Sequence, residues 1–190
     1  MLRLTGGIFR GQGIQAPKNS GTRPTQAKLR QALFNSLQLY LQDAKVLDLF
    51  AGSGALGFEA LSRGAQEVVF VEESRTVVKL IEKNSDLLGV REKVHLLGMS
   101  VDQAVPKILK SAPFDIVLAD PPYQEGWEMK LLTQLPWNEL LAEGGRFCLE
   151  WGVQKSAVSE LPAELPYLEK VREKTYGDSI LTTYLRRRES

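Results

Sequence analysis

The chain has 190 residues and a formal net charge of +1, and 43% of the residues are hydrophobic. This length suits one domain, with or without a small appendage, and the near-neutral charge excludes a surface that attracts polyanions over its whole area. The chain has one cysteine and one histidine, which favours a protein without a disulfide or a metal site. It has no signal peptide and no apolar run of about 20 residues, which favours a cytoplasmic protein without a membrane span.

Residues 1–24 make up the first segment, which is rich in glycine and alternates apolar residues with two arginines before residue 16. This pattern predicts a small hairpin, followed by a loop over 16–24. Thr25 then begins a helix whose apolar side chains lie on one side, as expected for packing on a sheet. We therefore divide the chain into an N-terminal extension, 1–24, and a main domain, 25–190.

Strand-like and helix-like segments alternate from about Lys45 onward. Short apolar runs predict strands at 46–50, 68–71, 94–97, 114–119 and 146–151. Apolar residues recur at helical spacing between these runs, and Ser74 is a suitable N-cap for one of the helices. Continuous apolar strands that alternate with amphipathic helices indicate a parallel sheet covered on both faces.

The tail of the chain departs from this alternation. Residues 165–171 and 179–186 predict two strands joined through Tyr176-Gly177-Asp178, with no room for a helix between them. This spacing requires a hairpin, so the last strand is expected to run antiparallel to its neighbour. The complete pattern resembles the α/β fold of class I S-adenosylmethionine-dependent methyltransferases, a Rossmann-like, seven-stranded, mostly parallel sheet with an antiparallel C-terminal hairpin.

A glycine-rich loop follows the first strand of the main domain. Gly52, Gly54 and Gly57 form a G-x-G-x-x-G pattern, in which glycines allow a tight turn and a close approach of the backbone to a ligand. Glu72 ends the next strand, twenty residues after Gly52, where an acid can bind both hydroxyls of a ribose. The fingerprint alone fits NAD as well as S-adenosylmethionine.

Asp48 helps to separate these two cofactors. An acid inside the strand before the loop can neutralise the ammonium group of S-adenosylmethionine, whereas it would repel the pyrophosphate of a dinucleotide. Asp48 can also stabilise the loop by accepting backbone N–H bonds, and both roles are compatible.

Asp120-Pro121-Pro122-Tyr123 follows the predicted strand 114–119. A carboxylate and a proline carbonyl can both accept hydrogen bonds from an exocyclic amino group, and the stiff diproline fixes the angle between them. The aromatic ring offers a face on which a flat base can stack. This strand is expected beside the first, with both carboxyl ends opening into one crevice, so the four residues predict a clamp for the amino group of a flipped base.

Motifs along nearly the whole chain resemble the RsmD family of bacterial methyltransferases. They are Arg3…Gly6-Gly…Arg10-Gly11, Arg23-Pro-Thr25, Arg30-Gln-Ala-Leu-Phe-Asn35, Asp48-Leu-Phe-Ala-Gly-Ser-Gly54, Glu59-Ala-Leu-Ser-Arg-Gly-Ala65, Val71-Glu72, Asn84, Asp120-Pro-Pro-Tyr123 and Tyr176-Gly177. The resemblance implies transfer of a methyl group from S-adenosylmethionine to the N2 amino group of one guanine in 16S ribosomal RNA, within an assembled small-subunit particle.

The resemblance also implies which residues bind. Asp120, Pro121, Pro122 and Tyr123 hold the guanine, and the cofactor residues are Asp48, Phe50, Ala51, Gly52, Ser53, Gly54, Glu72, Glu73 and Ser100. Two departures matter. Glu73-Ser74-Arg75 stands where the family usually has Asp-Arg, and Gly98-Met-Ser-Val-Asp102 leaves open whether Ser100 or Asp102 contacts the adenine.

The first 30 residues contain no acid, and they carry the predicted RNA-binding residues Arg3, Arg10, Arg23, Thr25, Lys28 and Arg30. A one-sided basic segment in a near-neutral protein favours phosphate contacts. The alternative is a solvated flexible arm. Because so small a protein has no separate recognition domain, we expect a monomer in which this segment and the active-site loops recognise the RNA.

Three other functions share part of these features. A DNA amino methyltransferase would use the same clamp, but it would need a recognition domain. A nicotinamide-dependent oxidoreductase is favoured only by the glycine pattern, and Asp48 and the clamp argue against it. A non-catalytic RNA-binding or assembly factor on the same fold has no need of an intact clamp.

Overall fold

The computed structural model describes residues 1–17, 24–123, 125–152, 156 and 158–188. The chain divides into two compact units, Met1–Ala104 and Val105–Ser190. Strands are β1 Leu2–Arg3, β2 Gly13–Ile14, β3 Lys45–Leu49, β4 Glu67–Val71, β5 Val94–Leu97, β6 Phe114–Ala119, β7 Leu141–Trp151, β8 Leu168–Tyr176 and β9 Ser179–Arg186. Helices are α1 Pro24–Leu37, α2 Ala55–Ser62, α3 Arg75–Leu87, α4 Val101–Ser111, α5 Trp127–Gln134 and α6 Trp137–Leu140, and 3-10 turns span Gln38–Tyr40 and Arg91–Lys93.

Strands β3 to β9 belong to one seven-stranded sheet, while β1 and β2 form a separate antiparallel pair. In the first unit the order is β5-β4-β3 and both pairings are parallel. In the second unit the order is β6-β7-β9-β8, where β6 and β7 pair in parallel and β9 pairs antiparallel with both of its neighbours. The fold class predicted from the sequence is confirmed.

The core strands of the first unit are apolar because both faces of a covered parallel sheet are buried. Val46, Leu47 and Leu49 on β3 and Val68 and Phe70 on β4 are each fully buried. Asp48 interrupts this run as a buried acid, which marks it as a residue retained for something other than packing.

The N-terminal segment is bonded to α2 in the first unit. The Glu59 carboxylate, which is fully buried, accepts hydrogen bonds from the Thr5 backbone N–H at 2.8 Å and from the Thr5 hydroxyl at 2.7 Å. Ser62 carries a second set of bonds, since its carbonyl accepts the Ile8 N–H at 2.7 Å and its hydroxyl accepts the Phe9 N–H at 2.9 Å. These bonds fix the predicted hairpin to the helix, and three of them satisfy a backbone N–H of the hairpin.

Most predicted strands are confirmed, three of them at both ends: 94–97, 114–119 and 179–186. Strand β7 begins at Leu141, five residues before the predicted start, and its pairing with β6 shifts register across this added stretch. Helices α5 and α6 were not predicted. Within the described residues, none of the helices has the length and apolar character that a bilayer crossing requires.

Candidate active site

The loop after β3 adopts the backbone conformation that its glycines allow. Gly52 has φ of 53° and Gly54, which precedes α2, has φ of 78°, both in the left-handed region where a side chain would be strained. A Cβ atom at Gly52 would meet no atom within 4 Å. Open space therefore lies against this turn of backbone, and a ligand can approach it closely.

Gly57 brings α2 close to the sheet. A Cβ atom at this position would lie 2.2 Å from the Phe70 ring, so a glycine is required for the helix to pack where it does. The Gly57 N–H also donates to the Asp48 carboxylate at 2.9 Å. The loop-stabilising role that the sequence offered for Asp48 is thus present, and binding of an ammonium group by Asp48 stays a prediction.

Glu72 connects the end of β4 to the glycine loop. Its carboxylate accepts the Gly52 N–H at 3.0 Å with one oxygen and the Ser74 N–H at 2.9 Å with the other. Each carboxylate oxygen can accept a further bond. Glu72 is half-buried, so its free acceptor capacity is open to the hydroxyls of a ribose.

Asn84 is a residue whose role sequence reasoning missed, although it belongs to the motifs quoted above. It is fully buried on α3 and donates to the Ser53 carbonyl at 3.2 Å and the Gln15 carbonyl at 2.9 Å. Its own carbonyl accepts the Gln15 N–H at 2.8 Å. Asn84 therefore holds together the cofactor loop and the chain that leaves the N-terminal hairpin. A buried asparagine on the apolar side of an amphipathic helix was the available signal.

The remaining predicted cofactor residues fall into two groups. Phe50, Ala51, Ser53 and Gly54 lie in the loop itself, and Phe50 has φ of 59°, which is uncommon for a residue with a side chain. Glu73 is exposed after β4, and the Ser100 hydroxyl accepts the Gln103 N–H at the start of α4 at 3.4 Å. Contacts of Glu73 and Ser100 with a cofactor stay predictions.

The predicted clamp lies in the second unit, directly after β6. Pro121 is buried, Pro122 is exposed, and the half-buried Tyr123 has its ring close to Gly152, where a Cβ atom would lie 3.7 Å from it. Among the residues that the structure describes, the Asp120 carboxylate has no hydrogen-bond partner. An acid that follows a buried strand and has no such partner can accept hydrogen bonds from a ligand.

The electrostatics of Asp120 are unusual. Burial, followed by the negative charge of Glu150 on β7, raises the pKa of Asp120 to about 8. Solvent nevertheless reaches the Asp120 residue. Much of the protein surrounds the carboxylate, although the Asp120 residue itself is exposed. This is the environment expected of a group that a ligand covers during its reaction.

The predicted RNA-binding residues differ in their environments. Arg3, Arg10 and Lys28 are exposed, and the Arg3 guanidinium donates to the Gly11 carbonyl at 2.8 Å, which braces the hairpin. Thr25 lies in α1. Arg23 lies outside the described residues. Contact of these residues with RNA stays a prediction.

Arg30 requires a correction. Its side chain is 6% exposed and forms an ion pair with the buried Glu59 at 3.5 Å, and it also donates to the Arg3 carbonyl at 2.8 Å. Arg63 forms a second ion pair with Glu59 at 2.9 Å. The guanidinium of Arg30 therefore fixes the hairpin to α2, and it is not presented to a phosphate, because it is buried and paired with a carboxylate inside the protein.

Comparison with known proteins identifies the family. The family described as conserved hypothetical protein 95 matches residues 2–185. Ribosomal RNA small subunit methyltransferase D of Escherichia coli is 35% identical over 187 residues, covering 97% of this chain and 90% of that protein. The enzyme of the same name from Haemophilus influenzae is 37% identical over 159 residues, covering 83% and 82%. The chain belongs to the RsmD family.

A solved structure agrees with this assignment. The structure of the putative methyltransferase yhhF of E. coli superposes with a TM-score of 0.83 at 31% identity, and the match covers 99% of both chains. The chain is accordingly an S-adenosylmethionine-dependent methyltransferase. The open backbone at Gly52 and the free acceptor capacity of Glu72 fit this cofactor.

Proposed function

We propose that this RsmD-family methyltransferase methylates the exocyclic N2 amino group of a specific guanine in 16S ribosomal RNA. The observation that carries the proposal is the Asp120 carboxylate, which has no hydrogen-bond partner among the described residues and precedes Pro121-Pro122-Tyr123. The relatives from E. coli and H. influenzae are named ribosomal RNA small subunit methyltransferases, which supports ribosomal RNA as the substrate.

Asp120 and the Pro121 carbonyl have the acceptor role in this proposal. The lone pair of a guanine amino group is delocalised into the ring, so the nitrogen is a poor nucleophile. Two acceptors that bind its two N–H groups orient the nitrogen toward the methyl group, and such positioning supplies much of the catalysis. Tyr123 stacks on the base, which must leave its helix to reach the clamp.

The donor role falls to residues of the first unit. Glu72 accepts hydrogen bonds from ribose hydroxyls, and the backbone around Gly52 follows the ligand closely. Asp48 attracts the ammonium of the methionine part while it keeps its bond to the Gly57 N–H. The cofactor would supply a methyl group bonded to a sulfonium sulfur, and the rest of the cofactor would be the leaving group, a neutral thioether.

RNA recognition falls to the N-terminal hairpin. Arg3 and Arg10 are exposed there on a segment that is fixed to α2, so the charges have defined positions. Defined positions suit a folded RNA, such as that of an assembled small subunit, better than a flexible single strand. The proposed enzyme acts as a monomer.

The test is a methyl-transfer assay with labelled S-adenosylmethionine. Unmodified 16S RNA, partly assembled small subunits and DNA are offered side by side, and the labelled nucleoside is identified after digestion. We expect label as N2-methylguanine in the RNA, highest in the assembled particle. Label in DNA alone, or binding of the cofactor with no transfer to any substrate, contradicts the proposal.

A further inference from the structure

Glu150 is a second carboxylate beside Asp120. In the pairing of β6 with β7, the last pair is Ala119 opposite Leu149. Asp120 directly follows β6, and Glu150 is the next residue of β7, so continuing the register by one residue places the two acids side by side. Laterally paired residues of parallel strands point to the same face of a sheet. The charge of Glu150 acts on Asp120, as expected for acids on one face. Glu150 itself is 9% exposed.

The neighbours of Glu150 hold it in place. It lies opposite Leu181 in the pairing of β7 with β9. Burial raises the pKa of Glu150, and a hydrogen bond from the Ser179 side chain acts in the opposite direction by favouring the charged form. The next residue, Trp151, is buried, and its indole N–H donates to the Thr182 hydroxyl at 2.9 Å. Glu150 therefore lies on a rigid part of the sheet, and a rigid charge has a constant effect on its neighbour.

Other charged groups of these strands have different partners. Glu173 on β8 accepts a bond from Thr182 at 2.8 Å, and Lys174 lies 5.5 Å above the Tyr176 ring. Asp178, in the turn between β8 and β9, has its carbonyl toward Gly152. Within the described part of the chain, Glu150 is the charged group that acts on Asp120.

We propose that Glu150 is a positioning residue for methyl transfer, whose negative charge makes Asp120 the acceptor of the proton that the methylated nitrogen releases. This inference rests on the proposed function. The amino lone pair forms the new N–C bond while the S–C bond breaks and leaves its electron pair on sulfur. The nitrogen is then cationic, and one of its protons moves to the Asp120 carboxylate.

The physical reason is basicity. A carboxylate with an ordinary pKa of about 4 is a weak base at neutral pH. Burial and the Glu150 charge raise the pKa of Asp120, and a base is most effective when its pKa lies near the working pH. A like-charged neighbour raises a carboxyl pKa, which moves it toward the working pH.

The experiment compares pH profiles of kcat/KM and of single-turnover methyl transfer to the particle for the wild type and Glu150→Gln. The amide keeps the shape of the side chain and can still accept a bond from Ser179. Glu143→Gln is the matched control, since Glu143 is an exposed acid on the same strand. Thermal unfolding of each variant shows whether it is folded.

In the wild type we expect the rate to rise with pH toward 8, because Asp120 must lose its proton before it can accept one. In Glu150→Gln the inflection should move down by about one unit or more, and the rate at high pH should fall about tenfold, because Asp120 becomes a weaker base. A residue with a merely structural role would lower the rate by one factor at every pH.

A carbon-13 titration of the Asp120 carboxyl gives a second measurement that needs no substrate. We expect a lower midpoint in Glu150→Gln than in the wild type. If the wild type is active and the pH profiles of wild type and Glu150→Gln are parallel, this inference is overturned and the proposed function stands. An unchanged Asp120 midpoint has the same meaning. A wild type that methylates no RNA overturns the proposed function as well.

Discussion

The acids and amide around the cofactor loop form hydrogen bonds within the protein, whereas the acid of the clamp forms none with the described residues. Around the loop, Asp48, Glu72 and Asn84 each bond to the backbone, so their side chains build the loop as well as any site in it. In the clamp, Asp120 has no hydrogen-bond partner among the described residues and lies beside a like charge. A substitution near the loop therefore changes folding and binding together, whereas one at Asp120 isolates the chemistry.

Asp120→Ala should have the largest effect. We expect methyl transfer to fall at least about a hundredfold, since a positioned acid or base contributes about 10²–10⁴-fold. Cofactor affinity and the unfolding temperature should change little, because the variant removes no hydrogen bond of the described protein. Titration calorimetry measures the cofactor affinity, and single-turnover kinetics measure methyl transfer. Asp115→Ala is the control, because Asp115 is an exposed acid on β6, the strand that Asp120 follows. Wild-type turnover in Asp120→Ala would remove the clamp from the mechanism.

Arg30→Ala tests the opposite behaviour in the first unit. The loss of one partner of the buried Glu59 should lower the free energy of unfolding by about 3 kcal/mol, because a buried charge loses part of its compensation. Lys28→Ala, on the same helix but exposed, should stay within about 0.5 kcal/mol of the wild type. Denaturant unfolding compares the two variants. Equal stabilities would mean that Arg30 is free to contact RNA.

Gly57→Ala tests the packing beneath the cofactor loop. The added methyl group would overlap the Phe70 ring, so we expect a loss of about 1–3 kcal/mol in unfolding free energy, together with weaker cofactor binding. Gly98→Ala is the control, because its Cβ would meet the nearest atom, on Val78, at an ordinary 3.7 Å. If Gly57→Ala is as stable as Gly98→Ala, the close approach of α2 to the sheet is not required.

Arg10→Ala should have the smallest effect and should alter neither stability nor cofactor affinity. We expect weaker RNA binding at low salt and a reduction of about one in the slope of log affinity against log salt, since one phosphate contact is lost. Binding to the RNA at several salt concentrations measures this. An unchanged slope would leave the exposed arginine as a solvated surface residue.

Sequence reasoning recovered what short-range patterns encode. The apolar runs at 94–97 and 114–119 gave strand bounds, and the glycine spacing located the turn at Gly52 and Gly54. The strand predicted at 165–171 corresponds to β8, Leu168–Tyr176, and the prediction was shifted because the outward residues of β8 are charged and give little apolar signal. The start of β7 was missed because it contains Gly144-Gly145, a pair typical of loops.

The parts that were missed depend on contacts between distant residues. Arg30 was taken for an RNA contact because nothing near it in the sequence shows that it pairs with Glu59. Glu150 lies between Leu149 and Trp151 in an apolar run, and only the pairing of β6 with β7 places it beside Asp120. Asn84 was quoted as part of a motif, but its partners Gln15 and Ser53 lie 69 and 31 residues away.

Asn84 has a thermodynamic consequence for the binding of cofactor and RNA. Its side chain bonds both to the chain leaving the N-terminal hairpin and to the cofactor loop, so one buried side chain joins the segment proposed to bind RNA to the segment proposed to bind the cofactor. Coupling between two binding equilibria is reciprocal: if the cofactor tightens RNA binding by some factor, RNA tightens cofactor binding by the same factor. Under the proposed function, release of either product, the demethylated cofactor or the methylated RNA, would then lower the affinity of the enzyme for the other. The buried amide of Asn84 would couple the two release steps.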